Sequence, residues 1–387
     1  MDLRPVSGSL CHHLNHVVPG TSWLVGRIDK DPGMSNELPQ ATRLSQRLGA
    51  VTIDTIDYHT AGEPFRIIPD PPVQIPGATV ADRRAFAMAD PDVDGLRQLL
   101  CFEPRGHADM YGGMITPPDD DGAHFGVLFW HKDGFSTACG HGTIALGAWA
   151  IHSGRIATDP SGVTDVVIDV PSGRVTARVH TAQDGRVTSV DFVNVASRLV
   201  ATGIDVTTKR GQCTVDLVWG GATYACLDAA TVGLSVKPEL ITELIALGRE
   251  VKAALANDPR ISHPTDPRLS GTYGTIIYDQ LGTLPGGELH QRNVTIFADG
   301  QVDRSPCGSG TAGRVAALHA TGQLADGQTL VHDSIVGSRF TATIQEHTTE
   351  HGRPAVIPVV TGNAHRVATV QFEVDPYDPL VPGFVLR

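Results

Sequence analysis

Two cysteines have neighbours that could make a thiol into an acid–base catalyst. Cys139 lies in the stretch FSTACGHGTIALGAW, which starts at Phe135, and Cys307 lies in SPCGSGTAGRVAALH, which starts at Ser305. In both stretches the motif Cys-Gly-x-Gly-Thr precedes a run with the composition of a helix. The two cysteines are 307 − 139 = 168 residues apart. The repeat indicates a duplicated domain that carries half of a site in each copy.

The glycines of each motif favour a cradle of backbone N–H groups at the start of the helix. Glycine has no Cβ, so successive N–H groups can converge on an anion. The same positive helix end stabilises a thiolate and is expected to lower its pKa from about 8.5 toward neutrality. The helix dipole alone contributes roughly 0.3–1 kcal/mol, and one pKa unit is about 1.36 kcal/mol. Direct N–H hydrogen bonds, or a neighbour such as His141, must therefore supply the rest.

Two activated thiols facing one pocket predict stereoinversion at an α-carbon. One thiol removes the α-proton and the other donates a proton to the opposite face. The N–H groups hold a carboxylate and stabilise the negative charge that develops as the proton leaves.

Other roles for cysteine fit these two motifs less well. A cysteine is most often a small buried hydrophobe, and we interpret four of the six in that way: Cys11, Cys101, Cys213 and Cys226. A zinc site needs further Cys or His residues at matching spacing, and the motifs offer a single such pair, Cys139 and His141. Partners for a Cys-His-Asn protease site can lie far away in sequence, and the motifs do not identify them.

Cofactor-dependent chemistry is not indicated either. The glycines match neither a P-loop nor a dinucleotide-binding pattern. A pyridoxal phosphate enzyme needs a Schiff-base lysine, and none of the five lysines lies in a matching motif. We expect no cofactor and no metal at the site.

Composition limits the partners and the compartment. The net charge of −12 argues against a nucleic-acid surface. No apolar run is long enough for a transmembrane helix, and the first residues do not resemble a signal peptide. The cysteines are sparse and irregularly spaced, which favours reduced thiols in the cytoplasm. We expect a small-molecule partner, no membrane association, and a homodimer.

The pattern along the chain predicts an α+β fold with many strands and few long helices. Residues 1–50 are polar and aperiodic, and we expect a dispensable, disordered leader, with Met34 as an alternative start. Strand-like runs such as HFGVLFWH then surround the two cysteine motifs, and ELITELIALGREVKAALA has the spacing of an amphipathic helix. We place one domain at residues 51–205 and a second at 206–365, with the tail from about 366 to 387 packing back on the first.

The chain resembles the proline racemase family, which includes 4-hydroxyproline 2-epimerases and trans-3-hydroxyproline dehydratases. The two cysteine motifs carry the resemblance most specifically. The matching stretches are IDYHTAGEPFRII (56–68), MYGGMITPP (110–118), ACGHGTIALG (138–147), VDLVWGGATYACLDA (215–229), HPTDPRLSGTYGTIIYD (263–279), DRSPCGSGTAGR (303–314) and SIVGSRF (334–340). The resemblance implies two pseudo-symmetric domains of the diaminopimelate-epimerase-like fold. Each wraps a sheet around a central helix, and a cofactor-free active site lies in the cleft between them.

The resemblance also implies a role for seven residues. Cys139 and Cys307 would be the paired acid and base. The implied substrate contacts are Gly140 and His141 after the first cysteine, Asp303 for the substrate amine, and Gly308 and Ser309 for the carboxylate. Ser309 stands where many members have Thr, and Ala138 stands where many have Met, so the pocket wall differs. We interpret His59, Glu63 and Arg66 as a structural, hydrogen-bonded hinge near the cleft.

Two reactions remain open, and a non-catalytic amino-acid-binding protein is a third, less favoured hypothesis. Racemisation or epimerisation of proline or hydroxyproline is favoured because both cysteines are present, whereas dehydratases of the family often replace one of them. Dehydration of trans-3-hydroxyproline needs a single base, and a second thiol does not forbid it. We rank trans-4-hydroxyproline first as substrate, on resemblance alone.

Overall fold

The fold is taken from a computed structural model that describes residues 52–375 and 377–386. The predicted leader over residues 1–50 lies outside the described residues. Within the described part of the chain, no helix has both the length and the apolar character needed to cross a membrane.

Strands are the commonest secondary structure among the described residues, which also form five α-helices. The strands are β1 Thr52–Thr60, β2 Glu63–Ile68, β3 Tyr111–Thr116, β4 Phe125–His131, β5 Gly134–Phe135, β6 Val163–Val170, β7 Gly173–Thr181, β8 Val187–Val193, β9 Arg198–Thr208, β10 Gly211–Trp219, β11 Thr223–Asp228, β12 Thr272–Thr283, β13 Leu289–Phe297, β14 Gln301–Asp303, β15 Leu330–Ser334, β16 Arg339–Glu350, β17 Arg353–Gly362 and β18 Ala364–Glu373. The helices are α1 Val80–Ala89, α2 Pro91–Cys101, α3 Gly140–His152, α4 Ile241–Ala254 and α5 Gly308–Ala320. Short 3-10 turns occupy Ala229–Val232, Pro238–Leu240, Pro259–Ile261 and Pro267–Leu269. The predicted α+β class is confirmed.

Strand pairing repeats in the same order around the two central helices. From β1 to β8 the neighbours β1–β2, β3–β4, β6–β7 and β7–β8 are antiparallel, whereas β2–β3 and β4–β6 are parallel. From β10 to β17 the pairs β10–β11, β12–β13, β15–β16 and β16–β17 are antiparallel, whereas β11–β12 and β13–β15 are parallel. A short strand precedes the central helix in each half, β5 before α3 and β14 before α5. The sequence repeat is thus a repeat of topology, as the predicted pseudo-symmetry requires.

Backbone hydrogen bonds join the last strand of each half to the first strand of the other half. β9 pairs with β10, and β18 pairs with β1 along its whole length. β8 and β17 also pair, so strand pairing connects the two halves directly. The domain limits at residues 51–205 and 206–365 remain a prediction.

The two central helices are buried almost throughout, unlike the helices that cover the sheet. Every residue of α3 from Gly140 to Ile151 is buried, and so is every residue of α5 from Gly308 to Leu318. A helix enclosed on all sides must be apolar and narrow, which explains the many Gly and Ala residues in both. Ile144 of α3 and Val315 of α5 belong to the same apolar cluster. The cluster holds both helices in the interior, and the two catalytic candidates immediately precede the first residue of each helix.

Candidate active site

The first residues of α3 and α5 touch each other. A Cβ built on Gly140 would lie 2.5 Å from the α-carbon of Gly308, and a Cβ on Gly308 would lie 2.6 Å from that of Gly140. Real Cβ atoms do not approach other atoms so closely, so neither position accepts a side chain. The first N–H groups of a helix have no acceptor within the helix itself. Two sets of such donors, with two positive helix ends, therefore meet at one place.

Cys139 immediately precedes α3 and acts as its N-terminal cap. The Gly142 N–H donates to the Cys139 sulfur at 3.2 Å. The His141 ring lies beside the same sulfur, with both ring nitrogens at 3.5 Å. The thiol is thus held at the helix start, in contact with a backbone donor and an imidazole.

Cys307 precedes α5 in a strained backbone conformation, with φ +64° and ψ +102°. A non-glycine residue at positive φ costs roughly 1–3 kcal/mol and persists only where surrounding contacts enforce it. The Cys307 N–H donates to the Ser305 hydroxyl at 3.0 Å, and that hydroxyl donates to Asp303 at 2.7 Å. These bonds fix the turn that presents the second thiol.

A buried network behind the turn holds its carbonyl side. Asn293 donates to the Pro306 carbonyl at 3.0 Å and to His332 Nε2 at 2.8 Å. Thr311 donates to the same carbonyl at 3.0 Å and contacts His332 Nδ1 at 2.8 Å. Burial lowers the pKa of His332 to about 3, so its ring is neutral and can donate on one side and accept on the other. Asn293, Thr311 and His332 thus all have hydrogen-bond partners, and their bonds hold Pro306 in place beside Cys307.

The two thiols line one tight, enclosed cavity with a volume of about 10 Å³. That volume is about what a single water molecule needs, so the walls must move apart before a ligand of amino-acid size can bind. The structure brings together all seven residues singled out from the sequence. The lining consists of Cys139, Gly140, His141, Asp303, Cys307, Gly308 and Ser309, together with Tyr111, Ala138, Tyr224, Tyr273, Thr295 and Phe297.

Ser309 presents an unpartnered hydroxyl at this cavity. Its side chain is 1% exposed, and its Oγ has no hydrogen-bond partner. A buried polar atom left without a partner costs roughly 1–3 kcal/mol. Ser309 lies in the first turn of α5, beside the free N–H groups, so a bound anion at the helix start would satisfy it.

Comparison with known proteins identifies the family of the chain. The family model described as proline racemase matches residues 55–385. The chain belongs to the proline racemase family. A trans-3-hydroxy-L-proline dehydratase of Burkholderia cenocepacia is 43% identical over 87% of this chain and 98% of that protein. A 3-hydroxyproline 2-epimerase of Burkholderia multivorans is similar to the same degree over the same shares.

A solved structure of the family has the same fold. A hydroxyproline epimerase from Agrobacterium vitis, with bound trans-4-hydroxy-L-proline, is 32% identical and gives a TM-score of 0.80. The match covers 87% of this chain and 96% of that one. This chain is therefore an enzyme of the proline racemase family with the fold that the resemblance implied.

The electrostatics of the site differ from the sequence-based expectation. Burial raises the pKa of both thiols above its ordinary value. The Gly142 N–H acts in the opposite direction on Cys139, and the Gly310 N–H does so on Cys307, but the Asp303 carboxylate adds to the increase in both. The predicted lowering of the thiol pKa toward neutrality was wrong, because the loss of hydration outweighs the effect of the helix ends. Both thiols are protonated before a ligand enters.

Asp303 and His141 form the polar wall of the cavity. Burial raises the pKa of Asp303 to about 6, although two hydrogen bonds from Ser305 act to lower it. Burial, with a smaller effect of Arg304, lowers the pKa of His141 to about 3. Asp303 Oδ2 lies 3.9 Å from His141 Nδ1. At neutral pH the wall therefore carries one negative charge and a neutral imidazole.

Three tyrosines that the sequence analysis did not assign form the remaining wall. The hydroxyl of Tyr111 contacts Ser136, and it lies 3.1 Å from that of Tyr273. Tyr224 packs edge-on against Tyr273, with ring centroids 5.7 Å apart. The chain has six tyrosines in all, and this scarcity is the one sequence feature that could have marked the tyrosines as candidates for the site. Tyr273 also lines a wider, open pocket that holds Arg84, so its ring lies between this pocket and the enclosed cavity.

The residues interpreted as a hinge have separate partners. Glu63 Oε2 accepts from the Arg304 backbone N–H at 2.8 Å and lies 3.0 Å from its Nε. This pair joins the start of β2 to the turn before Cys307. Arg66 pairs with Asp57 at 2.8 Å. His59 packs against His365 instead, with ring centroids 5.3 Å apart.

Proposed function

We propose that this enzyme inverts the α-carbon of a hydroxyproline, with Cys139 and Cys307 acting from opposite faces. The observation that carries the proposal is the contact between Gly140 and Gly308, which sets one thiol beside each of two abutting helix starts. A duplicated fold with a pseudo-twofold relation places equivalent groups on opposite sides of a central ligand. A reversible inversion needs this arrangement, since each direction uses the other thiol as base.

The substrate carboxylate is proposed to lie against the start of α5. The N–H groups of Gly308 and Ser309 have no acceptor within the helix, and the Ser309 hydroxyl is buried without a partner. A carboxylate there accepts these donors and gains from the helix dipole. The same donors stabilise the added electron density when the α-proton leaves.

The substrate ammonium is proposed to pair with Asp303. A buried carboxylate of raised pKa gains most from a cation that enters with the ligand. The pairing also offsets the Asp303 charge that raises the pKa of both thiols. Binding of the zwitterion therefore makes ionisation of one thiol easier at the moment it is needed, while the other thiol keeps its proton for donation.

Two relatives support a hydroxyproline ring as the substrate. The Agrobacterium vitis structure holds trans-4-hydroxy-L-proline, and the Burkholderia multivorans relative is named for 3-hydroxyproline. The rings of Tyr111, Tyr224 and Phe297 give the cavity a largely apolar wall, to which the two tyrosines add hydroxyl groups. Such a wall suits a pyrrolidine ring that carries one hydroxyl.

Dehydration of trans-3-hydroxy-L-proline is the second candidate, and it is favoured by the name of the Burkholderia cenocepacia relative. Removal of the α-proton leaves an electron pair next to C3, and expulsion of the C3 hydroxyl with a proton releases water and yields a pyrroline. A protonated thiol can supply that proton. A 4-hydroxyl cannot leave in this way, because it is one carbon too far from the α-carbon.

A substrate panel tests the two candidates directly. L-Proline, trans-4-hydroxy-L-proline and trans-3-hydroxy-L-proline are each incubated with enzyme, and chiral chromatography and pyrroline formation are measured in parallel. We expect the C2 epimer from trans-4-hydroxy-L-proline, with no pyrroline. The Cys139→Ala/Cys307→Ala double variant is the matched control for non-enzymatic change.

The outcomes separate the candidates. Pyrroline from the 3-hydroxy substrate, with no epimer from any of the three, would overturn the inversion proposal in favour of dehydration. Formation of D-proline, with no epimer from either hydroxyproline, would keep the two-thiol inversion but change the proposed substrate to proline.

A further inference from the structure

Three potential metal ligands come together at the far end of α5, away from the enclosed cavity. His319 stands in the last turn of α5, Asp326 in the loop that follows, and His347 in β16. One ligand atom from each residue lies within 4.8 Å of the other two. With 319 − 307 = 12 residues between them, His319 is about 18 Å along the helix from Cys307. The cluster is thus separate from the cavity.

The three ligand atoms are spaced as ligands of a single ion would be. Asp326 Oδ1 lies 2.9 Å from His347 Nε2 and 3.7 Å from His319 Nδ1. Tetrahedral ligands at the usual zinc distances of about 2.0–2.1 Å are roughly 3.3 Å apart. The observed separations lie on both sides of this value, so small side-chain rotations suffice to bind an ion.

The supporting structure limits how far the ligands can move. His319 lies on a helix and His347 on a strand, and the loop between them is anchored by Leu324, which is 1% exposed. The two imidazole rings stack at an angle with centroids 4.9 Å apart. The Leu324 carbonyl lies 3.3 Å from His319 Nδ1, and a metal would replace the proton of that contact.

We propose that His319, Asp326 and His347 form a surface binding site for a divalent transition metal ion of the Zn²⁺ class. Two imidazoles and a carboxylate suit Zn²⁺, Co²⁺ or Ni²⁺ rather than Mg²⁺ or Ca²⁺, which prefer oxygen ligands. Three protein ligands leave one position for water. The bound ion ties the end of α5 to β16 and so stabilises the helix whose other end carries Cys307. It takes no part in the inversion.

Metal binding to the full chain tests the site. Wild-type protein is stripped with EDTA and titrated with Zn²⁺ by calorimetry and with Co²⁺ by visible absorption, which reports ligand geometry. We expect the described residues to bind one ion, a Co²⁺ spectrum of low coordination number, and a melting temperature that rises by a few degrees with Zn²⁺. His319→Gln, His347→Gln and Asp326→Asn are each expected to weaken binding at least tenfold.

The matched control is His180→Gln. His180 Nε2 pairs with Asp191 at 2.7 Å, and among the described residues it has no third metal-ligating side chain close to this pair. We expect this variant to bind metal as wild type does, and EDTA to leave turnover unchanged. The proposal is overturned if wild-type protein shows no saturable binding, or if the three cluster variants bind as tightly as the control. Neither result depends on which substrate the enzyme uses.

Discussion

The backbones of Gly140 and Gly308 are in contact, so that a methyl group on either one would overlap the other residue. This relationship joins two helix starts that are 168 residues apart in the chain (308 − 140 = 168). It also sets the separation of the two thiols, because Cys139 and Cys307 are the residues immediately before these glycines. This contact, together with the Ser305 and Asp303 bonds that hold the turn before Cys307, determines how the two thiols are placed.

Gly140→Ala and Gly308→Ala are therefore expected to impair catalysis strongly. Each added methyl must push the helix starts apart, and a displacement of about 1 Å in a catalytic site can cost roughly 100-fold in rate. We expect kcat/KM to fall by at least that factor in both variants. Circular dichroism and thermal melting are measured alongside, because the loss should exceed what partial unfolding explains. Activity within a few-fold of wild type would show that the helix starts are less tightly coupled than their contact implies.

Cys139→Ser and Cys307→Ser are each expected to abolish most epimerisation. Serine keeps the shape of the side chain but is a far weaker acid and base near neutral pH, so we expect losses of about 100-fold or more. Cys213→Ser is the control, since Cys213 is buried in a different apolar cluster and does not line the cavity. Rates of optical rotation change are measured for all three. Near wild-type epimerisation by either cavity variant would contradict the two-thiol model.

The candidate site could be predicted from sequence to the extent that local motifs encode it. Cys139, Gly140, Cys307 and Gly308 were found because a glycine-rich turn before a helix is visible in a few consecutive residues. Asp303 needed the family resemblance, since its surroundings read equally well as a plain turn. All of these residues line the cavity.

The features of the site and fold that the sequence did not predict depend on contacts between residues far apart in the chain. The wall tyrosines, such as Tyr111 in β3 and Tyr224 in β11, lie in runs that read as ordinary strand core. The pKa direction of the thiols was wrong because the helix dipole is a local property, whereas depth of burial depends on how two halves close together. Helix α1 was not predicted, since its Arg83 faces inward and donates to the Pro117 carbonyl, which breaks the amphipathic pattern.

Alkylation of the thiols by iodoacetamide is expected to inactivate the enzyme, but slowly at neutral pH. The thiolate is the reactive form, and burial raises the pKa of Cys139 and Cys307. The inactivation rate should therefore rise steadily as pH increases through 7 to 9 and beyond. Pyrrole-2-carboxylate should protect, because its flat α-carbon imitates the deprotonated state. A rate already maximal at pH 7 would mean that the thiols are ionised in the free enzyme, contrary to their burial.

Asp303→Asn is expected to stabilise the fold while it weakens activity. The pKa of Asp303 is about 6 in the folded protein against an ordinary 3.8, so the folded state holds this proton more tightly than the unfolded state. The wild type therefore loses stability as pH rises from about 4 to about 6, by up to roughly 3 kcal/mol. Asparagine keeps an acceptor for Ser305 and has no charge to bury.

Urea unfolding at two pH values tests the predicted gain in stability, and steady-state kinetics test the predicted loss of activity. At pH 7.5 the Asp303→Asn variant should have the larger free energy of unfolding, and at pH 4 the two proteins should be nearly equal. Its KM should rise, because the substrate ammonium loses its partner. A variant that is less stable than wild type at pH 7.5 would show that groups of the protein compensate the charge of Asp303.

The origin of the product's α-proton distinguishes two bases from one. If Cys139 and Cys307 act on opposite faces, the proton removed and the proton added are different atoms. The donating thiol exchanges with solvent before substrate binds, so in D₂O it carries deuterium at the start of the first turnover. We expect the inverted product to contain deuterium at the α-carbon while unreacted substrate stays largely protiated. Mass spectrometry of both separated epimers at low conversion measures this.

Each competing mechanism leaves a different isotope pattern in the same experiment. A single base that swings between faces would return some of the original proton, so substantial protium in the inverted product is the result that rejects two opposed thiols. A dehydratase would give no inverted product at all and would release water and a pyrroline from the 3-hydroxy substrate. The Cys307→Ser variant makes the comparison sharper. With one thiol left, the starting epimer can still exchange its α-proton for solvent deuterium, while inversion stops. Exchange without inversion in that variant, and inversion with deuterium in the wild type, would together assign one face of the substrate to each thiol.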